Sequence, residues 1–363
     1  MQKSRAWFIL FLLILLFPQP MPVGRAMNAP ELEQVILQQH FTQKELERNL
    51  EITRNEEKTL LTQIAQLDSE LSRQALIIDA KRRHAGEVAR AYYMGKRDDL
   101  LALLFETDNF NDFLLAYDFL QILFTRDMEK MQDYQTERQK AAQLQQDKQQ
   151  RLTQVRTLRT HYETQLAEML AVQKEKEENL QKLTDPTSVQ SLMDHLVEDW
   201  RKDGLPAFRD YFAILTKVMF EIPELATPDR IHAEGLLTHT LTIKETDFNQ
   251  FLESKNAMFK QSQFHFENNQ LQVEGSYNQM NMRMIGEYQL VSPTELKFHI
   301  VQLFYDGFQL PQSTVDELAK EFDLGFYPTM ISPNIQVEDI KLADQALTLK
   351  IKLDLPFGFG SKK

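Results

Sequence analysis

Among side chains able to do chemistry, the eight histidines are the first to weigh, and they are scattered along the chain. The sequence contains no H-E-x-x-H segment, no G-x-S-x-G turn and no phosphate-binding loop. His232 and Glu234 make an H-x-E pair, but the Pro-Cys-x-x-Cys stretch that completes a zinc deaminase is missing. His265 and His299 fall on alternating, strand-like segments and read as structural. Cysteine is absent altogether, which excludes disulfides, thiolate zinc sites, cysteine nucleophiles and a lipidated N-terminal cysteine. Glycine is scarce, and Gly358 and Gly360 near the C-terminus are too few to cradle a phosphate. Carboxylate pairs are frequent, but most lie on helix faces, where solvent explains them. The expectation is a chain with no catalytic residue, no metal site and no cofactor.

The elements follow from composition and pattern. A length of 363 residues suits about two domains. Lys and Arg total 41 against 53 Asp and Glu, a net charge of -12. That balance argues against a general nucleic-acid binder, which needs a cationic face to displace counterions. The mean hydropathy of -0.43 is polar for one compact globule and points to long exposed helices. Residues 1–29 read as a targeting segment. Lys3 and Arg5 precede an apolar run ending at Phe17, and Pro18, Pro20 and Pro22 break it. The run is about 12 residues, short of the ~20 that cross a bilayer. Gly24-Arg25-Ala26 supplies small residues for cleavage before Met27. A cleaved signal peptide is expected, with an uncleaved N-terminal membrane anchor reaching Val23 as the alternative. Both place the remainder outside the cytoplasm, at the membrane face or in the cell wall.

Residues 30–185 carry the pattern of a long antiparallel coiled-coil hairpin. Leu46, Leu50, Leu60, Ile64, Leu67, Leu71, Ile78, Ala85, Val88 and Tyr92 recur at spacings of three and four, with Thr53, Glu57, Gln74 and Lys81 filling the polar seam positions between them. A second helix is expected over residues 125–184, with a stripe that includes Met128, Leu152, Val155, Leu158, Leu166 and Met169, and Asp185-Pro186 ending it. Similar lengths, about 90 Å each, joined by a short apolar stretch favour pairing within one chain. An intermolecular coiled coil is the alternative, so the oligomeric state stays open. The Gln-rich stretch at residues 132–150 reads as a solvated face.

The join, about residues 95–124, is far more apolar than either arm. It holds Leu101, Leu104, Phe105, Phe110, Phe113, Leu114, Tyr117, Phe119, Leu120 and Phe124, with Glu106, Asp108 and Asp112 among them. These side chains either cover one another in a small knob or form an interaction patch with a polar rim. Ala91-Tyr92, Gly95, residues 100–105 and Asp108-Asn109-Phe110-Asn111-Asp112-Phe113-Leu114 resemble the hairpin-tip motif of the coiled-coil domain in bacterial cell-wall hydrolases and activators of the CwlO, PcsB and EnvC type. The resemblance covers about residues 31–185. It implies contact with FtsEX, the membrane complex that couples cytoplasmic ATP hydrolysis to wall cleavage outside. It makes Tyr92, Leu101, Leu104, Phe105, Phe110, Phe113 and Leu114 the candidate partner-binding residues. The hydrolases add a Cys/His peptidase or another enzymatic domain, and the lack of cysteine excludes the Cys peptidase here.

Residues 186–229 read as a helical linker. One helix, capped by Thr187 or Ser188, carries Val189 to Trp200 and ends at Gly204 and Pro206; a second covers residues 206–220. Residues 230–363 read as an α+β domain with a curved antiparallel sheet. Strand-like alternation marks residues 239–244, 263–267, 270–277, 280–290, 295–301, 335–342 and 346–355, and helices are expected at residues 246–252 and 313–322. Asn268-Asn269 is a hairpin turn signal. The order of elements resembles small extracytoplasmic lipid-binding domains of the TULIP-like, LmeA type over about residues 230–355. The matching features are Thr246-Asp247-Phe248 with Phe251-Leu252, the turn at residues 307–311, and Pro328 and Pro333. The resemblance implies an apolar groove for acyl chains, with Phe259, Phe264, Phe266, Met280, Met282 and Met284 as candidate wall residues. The same residues at strand spacing also suit an ordinary core. Together these readings lead to the expectation of a non-enzymatic envelope protein that regulates or scaffolds peptidoglycan hydrolysis through an FtsEX-like complex or a hydrolase. The alternative is a lipid carrier whose coiled coil is a spacer or oligomerisation device.

Overall fold

The computed structural model describes residues 29–277 and 279–353. The expected leader, apart from Ala29, and Gly358 and Gly360 lie outside the described residues. The chain is mostly helical, with two long helices followed by a domain of two antiparallel sheets. Helix α1 spans Ala29–Tyr93, α2 Lys96–Ala102 and α3 Phe110–Leu180, with a short turn of 3-10 helix at Leu103–Phe105. Helix α3 thus begins at Phe110 and not near residue 125. The apolar run after Asn109 is itself helical, because the Asn109 side chain caps it.

Helices α1 and α3 lie side by side and run antiparallel. Gln39 meets Asn179, Glu57 pairs with Arg159 at 2.6 Å, Asp68 with Lys148 at 2.5 Å, and Lys81 with Asp133 at 2.5 Å. Three of the four polar seam positions make contacts across the pair: Glu57 and Lys81 in these ion pairs, and Gln74, which donates to the Glu137 carboxylate and carbonyl. Ile64, Ala85, Val88 and Val155 are buried between the helices. Exposed ion pairs contribute only about 0–1 kcal/mol each, so the apolar seam carries most of the pairing energy.

The base of α1 belongs to the C-terminal core. Phe41 is fully buried against Trp200, Tyr305 and Phe308, with ring centroids 5.7, 6.2 and 6.1 Å away. Ile36 packs with Val189 and Met193. Arg48 makes a two-pronged pair with Glu317, at 3.0 and 2.6 Å, and reaches Glu45. Asn49 donates to Thr314, which donates in turn to the fully buried Glu45.

Helix α4 spans Thr187–Asp199 and α5 Leu205–Met219. The expected break at Gly204 and Pro206 is not a break. A single π turn, Trp200–Gly204, carries the helix through, and Pro206 follows it directly, where the ladder has already slipped, the Leu205 N–H reaching back five residues to the Trp200 carbonyl. A Cβ on Gly204 would lie 2.5 Å from Trp200 Cε3 and 2.9 Å from Tyr305, so glycine is what lets the indole seat. Neither Thr187 nor Ser188 caps α4. The cap position is Pro186, and the Asp185 carboxylate accepts from the Thr187 N–H at 3.0 Å.

The expectation of one curved sheet is corrected to two. Strands β1 (Ile231–Ala233), β2 (Thr238–Lys244), β8 (Ile335–Ala343) and β9 (Ala346–Leu353) form a sheet in the order β1-β2-β9-β8. Strands β3 (Ser262–Glu267), β4 (Gln270–Tyr277), β5 (Met280–Ser292), β6 (Glu295–Tyr305) and β7 (Phe308–Gln309) form the other, in sequence order. Helix α6 (Glu245–Lys255) separates β2 from β3 and closes the free edge of β3. Asn249 both donates to and accepts from the Phe264 backbone, at 2.8 and 2.9 Å, and Glu245 accepts from the Phe266 N–H. With that edge occupied, β2 pairs with β9 instead. Helix α7 (Gln312–Glu321) packs on β6 and on the base of α1.

Candidate functional site at the helical tip

The tip is built from local signals. Gly95, at φ +73°, ends α1 in the left-handed conformation that glycine adopts without strain. The chain then turns into α2. At the start of α3 the side-chain Oδ1 of Asn109 accepts from the Asp112 N–H at 3.0 Å, and its Nδ2 donates to the Asp112 carboxylate at 2.6 Å. This mutual cap gives the Asp108-to-Leu114 motif a structural purpose. Arg97 of α2 pairs at 2.7 Å with Asp127 of α3, which is buried, tying the two helices together. The Tyr92 ring lies tilted against Phe124, at 6.3 Å, and 6.0 Å from the Arg97 guanidinium.

Little of the apolar run is hidden. Leu120 is buried and Leu104 half-buried, whereas Phe105 is 90% exposed and Phe110 72%. Tyr93, Leu115, Phe119 and Ile122 are also exposed. Phe110 and Phe113 stack on each other at 6.4 Å. Of the residues expected at a partner surface, Tyr92, Leu101, Phe105, Phe110, Phe113 and Leu114 are exposed, and Leu101 and Leu104 share a groove of about 540 Å³. Its α3 wall carries Tyr117, Leu120, Phe124 and Met128, with Gln121, Thr125, Glu129 and Gln132 alongside them. Sequence reasoning placed the first four in the apolar run or the helical stripe but not in a site. Their spacing of three, four and four was the available signal.

The candidate wall residues of the second domain lie elsewhere. Phe259, Phe264, Phe266, Met280, Met282 and Met284 are all buried in the core. Phe248 packs on Phe264 and Phe266 at 5.6 and 5.3 Å, and Phe259 on Tyr211 at 5.7 Å. Only Phe266 of the six borders the apolar cavity of about 30 Å³ that is also lined by Leu241, Ile243, Leu271, Ile340 and Leu349. That is room for roughly one or two waters, and no acyl chain fits it as it stands. The histidines form no cluster: His265 pairs with Glu245 at 3.0 Å, and His232 and His299 are exposed. Among the described residues, no group of three or more metal-ligating side chains could hold an ion, and no helix is long and apolar enough to cross a membrane. No protein-family model, curated protein or solved structure matches the chain.

Proposed function

We propose that this chain is a non-enzymatic, extracytoplasmic envelope protein that regulates or scaffolds peptidoglycan hydrolysis. In this reading α1 and α3 form a coiled-coil hairpin within one chain, and its tip docks on an FtsEX-like membrane complex or on a wall hydrolase. The observation that carries the reading is the exposed aromatic tip, with Phe105 and Phe110 facing solvent far along α1 from the sheet domain. Large exposed apolar patches mark interaction sites, and the tip motif is the part that resembles the hydrolase-associated coiled coils. The alternative, a lipid carrier, has in its favour an apolar gap beside the sheets, but that gap is small and its expected walls are mostly packed core.

The test is photo-crosslinking in cells from position 113, comparing the native tip with the Leu104→Asp, Phe110→Asp pair. Capture of a membrane complex or hydrolase by the native tip, lost in the pair with thermal unfolding changed little, is expected. Phe110 is mostly exposed, and an acid in the first helical turn suits the helix dipole. Retained capture in the double variant rejects the tip as the docking surface. Stoichiometric lipid on the purified chain would favour the carrier.

A further inference from the structure

The reading of the tip as a docking surface leaves the partner's chemistry open, and the charge around the groove restricts it. Residues 98–125 contain six carboxylates, Asp98, Asp99, Glu106, Asp108, Asp112 and Asp118, and no lysine, arginine or histidine. All six are exposed, and among the described residues none makes an ion pair. The cations nearest in sequence, Arg97 and Arg126, flank this segment, and Arg97 is held by Asp127.

The same segment and the α3 turns after it build the groove, whose apolar residues are Leu101, Leu104, Tyr117, Leu120, Phe124 and Met128 and whose one charged lining residue is a further acid, Glu129. Its α3 wall extends from Tyr117 to Gln132, about 22 Å at 1.5 Å per residue, or four helical turns. A trough of that length, with an apolar stripe at helical spacing and polar side chains beside it, is the form that accepts an amphipathic helix. We infer that the tip groove, on the docking reading above, takes an amphipathic helix of a partner protein whose flanks carry lysine and arginine. A second copy of the tip would bring six more carboxylates against these six, and an anionic bilayer surface would repel them. Only a cationic partner gains from both the groove and its rim, and like-charge partners are rejected by the same field.

The full chain is titrated with a leucine–lysine peptide of about four helical turns, with its leucine–glutamate counterpart and with a leucine–lysine peptide of scrambled order. Vesicles of phosphatidylglycerol and phosphatidylethanolamine are tested in parallel. The amphipathic lysine peptide should bind at least about tenfold tighter than the glutamate or scrambled peptides, with the advantage over glutamate shrinking as salt rises. Reversing Asp99, Glu106, Asp108 and Asp118 to lysine should invert the preference. Reversing Glu51, Glu56, Glu70 and Glu163 on the arms should leave it in place. A set with Asn at the acidic tip positions and Gln at Glu106 should abolish it without introducing repulsion, and covers the case of a misfolded lysine set. A preference indifferent to both tip sets overturns the inference, as does tighter binding to vesicles or self-association through the tip. Crosslinking from position 113 separates the two claims. Capture of a partner that survives charge reversal keeps the docking reading and rejects the cationic helix, whereas no capture from the native tip rejects both.

Discussion

At the scale of the residue, His40 makes the base of the helices sensitive to acid. It is buried on α1, and Lys176 of α3 comes within 3.5 Å of its Nδ1 while Lys44 lies one turn on. Burial first, and then these two ammonium groups, lower its pKa from 6.5 to about 4, against weaker opposing fields from Asp194 and Glu47. The folded chain therefore holds His40 neutral where the unfolded chain would protonate it. Its contribution is fully present above pH 6.5 and is lost as pH falls toward about 4. Melting curves of the native chain and the His40→Gln variant should run parallel above pH 7. The native chain should then lose ground to the variant between pH 6.5 and 4. Parallel curves throughout would mean that the imidazole is not held neutral. None of this was readable in sequence, because the residues around His40, from Ile36 to Lys44, mix apolar and polar types, and its neighbour Lys176 comes from far along the chain.

At the scale of the element, the join between α1 and α7 rests on Arg48. Its guanidinium binds Glu317 in two prongs and also faces Glu45, so its removal leaves the fully buried Glu45 with no cation and only the Thr314 hydroxyl, and Glu317 with Arg209 alone. Arg48→Ala should lower stability by about 2–4 kcal/mol, read by denaturant unfolding. Glu317→Gln, which keeps an acceptor, should cost less, and equal losses would argue against a charge-based join. The helices and strands themselves were largely legible from periodicity. The strand expected to end at Val301 continues to Tyr305, because Val301 is an extra residue where the register with β5 slips between Ile285 and Gly286. That bulge flips the alternation, moving burial from Leu296 and Ile300 to Leu303 and Tyr305. Pairing of β2 with β9 was hidden for a different reason: register is local, whereas partner choice depends on which edges other elements cover. The apolar tip could be read from composition, but its groove needs α2 folded beside α3, a contact fixed by the Arg97–Asp127 pair.

At the scale of the whole molecule, the absence of native cysteine gives a clean test of pairing within one chain. Gln63 and Arg151 touch across the two long helices. Cysteines placed at both positions and bridged by a short bismaleimide should give a product of monomer size on a denaturing gel. Product of dimer size alone would assign the pairing to two chains. The seating of α1 in the sheet domain has a mechanical consequence. Its base is clamped from Ile36 to Leu50, whereas the helix continues, paired with α3, to Tyr93, a further span of about 65 Å. Such a span is a boom on a short bearing, and a tilt of about 5° at the bearing sweeps its end through roughly 6 Å at that length. A shift of a few tenths of an ångström where Phe41 meets Trp200 becomes a displacement several times larger where Tyr93 gives way to the tip. A pull at the tip is delivered back to the aromatic cluster with the same mechanical advantage.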